Sequence, residues 1–212
     1  LLHKAAESGN VGMVQFLLEE CGANPNMPSL NGNLPLIAAV NAITDAFHID
    51  TARYIYESVL PIVTLLVQYG ADPNGEQPMK GFKAGTVDQG TGMRRVTTAM
   101  GQSIACAIKF RQDDAICTEI LQVMDLLCSN GGDPLYECYI DSDCIEDDPS
   151  FMSKFSLVQY TFDSCNFKTI KLLLGYIDLS DIHPVPVFSR SFNNSDLHSR
   201  LVCSADTSLL FS

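Results

Sequence analysis

The sequence predicts an all-α solenoid of about four helix–turn–helix repeats, with β-turn fingers between the repeats and long inserted loops. Three observations predict it. The segments FLLEECGANPN (16–26), LLVQYGADPN (65–74) and DLLCSNGGDPL (125–135) match one another, and IKLLLGYIDLS (170–180) is a weaker copy. Each follows a second recurring segment: LLHKAAESGN (1–10), LPLIAAVNA (34–42), SIACAIKF (103–110) and FSLVQYTFDSCN (155–166). Finally, 46% of the 212 residues are apolar, enough for a packed core, and there is no strand–helix alternation of the kind a parallel sheet needs.

Each part of the unit has a physical role. The small residues Ala5, Ala6, Ala38, Ala39, Ala105 and Ala107 let a neighbouring helix approach the first helix closely. The Leu pairs Leu17/Leu18, Leu65/Leu66, Leu126/Leu127 and Leu172/Leu173 suit the buried face of the second helix. Gly22, Gly70 and Gly131 follow the helix end, where a left-handed residue is usually glycine. Asn24, Asp72 and Asp133 supply turn acceptors, and Pro25, Pro73 and Pro134 stop the helix from continuing.

These strings resemble the ankyrin repeat, in which a β-turn finger is followed by two antiparallel helices. The pattern G-x-T-P-L-H-x-A-A-x-x-G … V-x-x-L-L-x-x-G-A-D-x-N is met by Leu2-His3, Ala5-Ala6, Gly9, Val14, Leu17-Leu18, Gly22-Ala23 and Asn26. Gly32, Pro35-Leu36, Ala39, Gly70-Ala71-Asp72 and Asn74 continue it. The later units depart from it, with Ser103-Ile104 placed where Thr-Pro belongs and Cys165 in place of a glycine. The resemblance implies a module that binds other proteins through its fingers and inner helices. It also implies a structural His3 that hydrogen-bonds the turn.

Spacing locates the insertions. Leu2 to Leu17 is 15 residues, whereas Leu36 to Leu65 is 29, which places an excess between paired helices around 43–58. Gly22 to Leu36 is 14 residues and Gly70 to Ile104 is 34, which places a longer one in the finger around 75–98. A third insertion falls in the finger at 135–154. Insertions in a solenoid map to loops, often on the binding face. The expected organisation is a repeat domain over 1–180, with repeats near 1–26, 27–74, 75–134 and 135–180. A tail at 181–212 is a broken repeat or a linker. Because Leu1 falls inside a repeat, further repeats are expected before it in the full chain.

Thirteen Lys and Arg against 25 Asp and Glu give a net charge of −12. That argues against a nucleic-acid partner, since phosphate binding needs clustered cations. The longest apolar stretch, near Val59 to Val67, is far short of the roughly 20 residues that cross a bilayer, so no membrane partner is expected. Eight cysteines without a CxxC pair read as buried thiols of an intracellular, cytoplasmic protein. The acids cluster: Asp133, Glu137, Asp141, Asp143, Glu146, Asp147 and Asp148 share one loop without a cation. Segment 75–98 is net basic, and one expectation folds it against that acidic loop.

Catalytic patterns are weak. Gly101-Gln102-Ser103-Ile104-Ala105 resembles a hydrolase nucleophile elbow, with His183 or His198 as base. It also sits at an expected helix start, where Ser is a good N-cap. Gly-rich 81–92 lacks the Lys-Ser/Thr of a phosphate loop, and Asp141-Ser142-Asp143 lacks the rest of a calcium loop. The four histidines have no metal spacing. No catalytic residue, cofactor or metal is therefore expected. The expected function is a non-catalytic protein–protein interaction module, a scaffold or adaptor within a larger protein. Lys80, Lys83, Arg94 and Arg95 on the 75–98 insertion are the candidate partner contacts, because arginine is enriched at interface hot spots. The alternatives are a structural spacer or a serine hydrolase using GQSIA.

Overall fold

The computed structural model describes residues 1–45, 49–78, 96–110, 113–136 and 167–177, which belong to one compact unit spanning Leu1–Ile177. Its elements in order are α1 (Leu2–Glu7), α2 (Val11–Glu19), α3 (Pro35–Asp45), α4 (Ile49–Gln68), β1 (Gln77–Pro78), β2 (Val96–Thr97), α5 (Ala99–Lys109), α6 (Asp114–Ser129) and α7 (Phe167–Leu174). The tail at 181–212, the acidic run 137–148, the Gly-rich 81–92 and the first half of the fourth unit at 155–166 lie outside the described residues.

The helices pack in two layers. First helices stack on first helices, α1 on α3 and α3 on α5, and second helices do the same, α2 on α4 and α4 on α6. Within a pair, α1 meets α2, α3 meets α4 and α5 meets α6. One contiguous core runs through both layers from Leu2 to Ile177 and includes Leu18, Leu66, Leu127 and Leu173. This is an all-α repeat solenoid with a single two-stranded ladder among the described residues.

Local chemistry sets the helix ends. Asn10 caps α2 by accepting from Met13 N at 2.9 Å, and Asp113 caps α6 by accepting from Ala115 N at 3.0 Å and Ile116 N at 3.1 Å. Pro35 opens α3, where its missing N–H and fixed φ do no harm. At the C-terminal ends, Gly70 (φ +86°) and Gly131 (φ +91°) take the left-handed conformation expected of them. The following N–H groups, of Ala71 and Gly132, donate back to the Leu66 and Leu127 carbonyls at 2.8 Å in both cases, the Schellman closure.

Two expectations are corrected. The excess at 43–58 does not map to a loop. It lengthens the paired helices instead, with α3 continuing to Asp45 and α4 starting at Ile49. Pro61 explains the junction: it lies where the shorter α2 has its first turn, so α4 is a regular second helix with inserted turns added in front of it. The inserted part packs back on its neighbour. A Cβ on Gly9 would sit 2.5 Å from Ser58 Oγ, and Gly9 itself has φ +69°, so that turn admits only glycine.

The second correction concerns the start of α5. Ser103 is not its cap. Thr98 is, accepting from Gly101 N at 3.1 Å, so Thr98-Ala99 takes the place assigned to Ser103-Ile104. The third unit therefore begins five residues earlier than expected, and part of the excess moves from the finger to the α5–α6 pair.

Candidate protein-binding surface

The fingers are held from below by a repeated side-chain staple. Asn26 Nδ2 donates to Gly70 O at 2.7 Å, and Asp72 N donates to Asn26 Oδ1 at 2.8 Å. One unit later, Asn74 Nδ2 donates to Gly131 O and Asp133 N donates to Asn74 Oδ1, both at 2.8 Å. Within each loop the expected turn acceptors act: Asn24 accepts from Asn26 N, Asp72 from Asn74 N and Asp133 from Leu135 N. Each amide thus fixes two backbone groups of the next loop, so the fingers are registered to one another.

The first finger is a closed turn. Ser29 N donates to Asn33 O and Gly32 N to Ser29 O, both at 2.9 Å, and Asn33 N donates to Ser29 Oγ at 3.1 Å. The second finger braces it. Leu34 N donates to Gln77 Oε1 at 3.1 Å, and Pro78 lies against Gly32. Gln77 and Pro78 pair with Thr97 and Val96 in an antiparallel ladder. The segment between them is the long insertion, which therefore leaves and rejoins the body at paired residues. Tyr136 Oη donates to the Glu76 carboxylate, tying the base of the third finger to that of the second. This is the described link between the basic and acidic segments; their charged parts, like Lys80, Lys83, Arg94 and Arg95, lie outside the described residues.

Inner helices offer little surface. Every residue of Pro35–Val40 in α3 and of Ala99–Ala107 in α5 is buried. Exposed apolar side chains sit elsewhere: Leu30 (107% exposed) and Met27 (58%) on the first finger, and Phe16 and Met13 on the outer face of α2. Sequence reasoning missed Leu30 and Met27 because helical periodicity says nothing of apolar residues in a turn. The signal was their position between Pro25 and Gly32, where no helix can bury them.

His3 sits against the backbone of Asn33 and Met27 in the next finger. Burial pushes its imidazole below the usual histidine range, and those backbone groups partly offset the effect. Its Nε2 has no hydrogen-bond partner, while hydrogen bonds to the backbone of Asn33 and Met27 tie the ring to the turn, as the resemblance implies.

The family profile described as "Ankyrin repeats (many copies)" matches residues 2–44. Residues 2–44 are thus similar to ankyrin repeats. No curated protein matches it. Ankyrin repeats generally mediate protein–protein interaction, and the family is typically non-catalytic.

The catalytic patterns do not assemble on the described helical frame. Ser103 lies inside α5, 1% exposed, and its hydroxyl donates to Ala99 O at 2.8 Å. β2 does precede the helix, but the strand-to-helix turn holds Thr98, so no serine stands at the elbow position. His183 and His198 lie outside the described residues. Among the described residues no group of His, Cys, Asp and Glu could hold a metal, and no helix is long and apolar enough to cross a membrane. Cys106, Cys117 and Cys128 are buried thiols and Cys21 is exposed. Burial, with Asp125 and Asp133 nearby, pushes the Cys128 thiol up to about 12, which suits packing and not nucleophilic chemistry. A surface notch lined by residues 8–12, Glu57 and Ser58 sits where the inserted turns of α4 meet the α1–α2 turn.

Proposed function

We propose that this chain is the interaction module of a larger intracellular protein, acting as a scaffold or adaptor, and that it meets its partner along the finger edge. The observation that carries this reading is the contrast between the layers. α3 over Pro35–Val40 and α5 over Ala99–Ala107 are buried, whereas the first finger is exposed and closed on itself, and the loops at its base and at the bases of the next two are stapled to one another. A surface ordered in advance loses little conformational entropy on binding. In this reading the insertion hung from the β1–β2 ladder contributes Lys80, Lys83, Arg94 and Arg95 to the contact. Its hold at Gln77 and Val96 fixes where it leaves the body.

The test keeps the ladder and removes what hangs from it. A chain lacking 79–95, with a short Gly-Ser link from Pro78 to Val96, should unfold within a few degrees of the parent. Photo-crosslinkers at positions 80 and 94 in the full protein should capture a discrete protein in cells. That protein should no longer co-purify with the excised chain. Co-purification unchanged by the excision would refute the role of the insertion.

A further inference from the structure

We infer that the first finger is an apolar anchor for a basic amphipathic segment of a partner protein, with Leu30 and Met27 as its contact residues. The inference rests on the proposed finger-edge reading and names the chemistry of what binds there. Leu30 is fully exposed and Met27 more than half exposed, three residues apart on one finger. Neither is loose. The bonds among Ser29, Gly32 and Asn33 close the turn beneath Leu30, and Gln77 and Pro78 brace it from the next unit. Gly32 has φ +82°, a conformation that other residues rarely adopt, and a Cβ there would crowd the Pro78 ring at 3.1 Å. Two large apolar groups are thus held in water on an ordered support. Holding them there keeps the hydrophobic effect unsatisfied in the free chain, and a covering apolar surface would satisfy it.

Charge selects the kind of cover. Glu20, Asp72, Glu76 and Asp133 are the charged residues of the described finger edge at 20–34, 69–78 and 130–136, which includes no Lys or Arg. In the full sequence the four cations between 80 and 95 are outnumbered by the seven acids of 133–148, and the chain's net charge is −12. A partner offering Lys or Arg interleaved with Leu or Phe would be drawn in by that field and would cover both side chains.

The probe is a labelled synthetic peptide alternating Leu and Lys in an amphipathic pattern, titrated by fluorescence anisotropy against the whole chain, Leu30→Ser and Met27→Ser. Binding should weaken about tenfold in Leu30→Ser and less in Met27→Ser. It should weaken again as salt rises from about 0.05 to 0.5 M, because screening shortens the reach of the acids. Amide shifts should centre on 27–33. Equal binding by Leu30→Ser, equal binding of a Leu–Glu peptide, or no binding would each overturn the inference. So would self-association of the chain that Leu30→Ser abolishes, since the occupant would then be a second copy. None of these outcomes touches the general reading, which is tested by excision of 79–95 with this finger intact.

Discussion

Asn26 and Asn74 each reach from one finger into the next and bond two backbone groups there. Leu135 holds the corresponding place after the third turn, and its side chain has no group that can hydrogen-bond across a joint. What ties the third unit to α7 is different in kind. Lys168 Nζ donates to Asp114 Oδ1 at 2.6 Å, and Tyr176 Oη donates to Asp125 Oδ1 at 2.5 Å. The first pair runs between two helix surfaces and the second reaches α6 from the turn after α7, and both stand in solvent, where such contacts contribute little. The first two joints are set by backbone groups that every repeat has; the third relies on particular side chains. A repeat whose loop letters drift loses the staple first, while its buried leucines persist, as Leu173 does.

The largest effect that could break this comparison comes from the core. Leu66 and Leu173 are both fully buried, one beside the stapled joints and one in α7. Leu66→Ala should cost about 4–5 kcal/mol in urea unfolding, and Leu173→Ala about 2–3 kcal/mol, because α7 lies at the end of the described stack and its surroundings can collapse more readily. Hydrogen exchange should show the second variant opening α7 alone. Equal costs with a single transition would mean the third joint is as integral as the other two.

A smaller effect isolates the staple. Asn74→Ala removes both bonds across the second joint and should cost about 1–2 kcal/mol, since exposed backbone groups freed on each side can turn to water. Asn26→Ala should cost about the same. A double variant should be close to additive because each amide serves a different joint. Circular-dichroism melts with urea titration check this. An effect of either single variant below about 0.3 kcal/mol would make the staple ornamental, and the contrast with Leu135 would lose its meaning.

Much of this was legible from residues. Gly70 and Gly131 at the helix ends, and the Asn or Asp that follows, act through local geometry, which a sequence displays directly. The start of α5 was not. Ser103-Ile104 and Thr98-Ala99 are both plausible cap-and-helix pairs five residues apart, and only the burial of Ser103 and the Thr98 cap decide between them. The inserted turns of α4 were misread as loop because repeat arithmetic counts residues without assigning their conformation. The spacing of Ala52, Tyr56 and Val59 was already helical. The binding surface was the least legible part. Exposure of Leu30 and burial of every residue of Pro35–Val40 are tertiary facts, set by what packs on a segment and not by the segment itself.

The smallest effect concerns the exposed ties at the third joint, and its sign can be worked out. The hydrogen bond to Asp125, with some burial, raises the Tyr176 phenol to about 12 in the folded chain, above its ordinary value of 10. The neutral phenol is the form that donates. Whatever Tyr176 adds to folding is therefore fully present below pH 10 and is lost as pH rises through the folded value near 12. Asp114 moves the other way: the Lys168 ammonium bonded to it lowers its carboxyl, so its contribution is present above the ordinary value of 3.8 and fades as pH falls through the lowered one. Between these limits both ties hold. Tyr176→Phe should remove one late-titrating component, near pH 12, from the phenolate absorbance of the seven tyrosines, yet shift the melting temperature at neutral pH by no more than about a degree. A larger loss at neutral pH would show that a solvent-facing tie can do the work of the missing asparagine. The third joint would then be as firmly specified as the first two, by other residues.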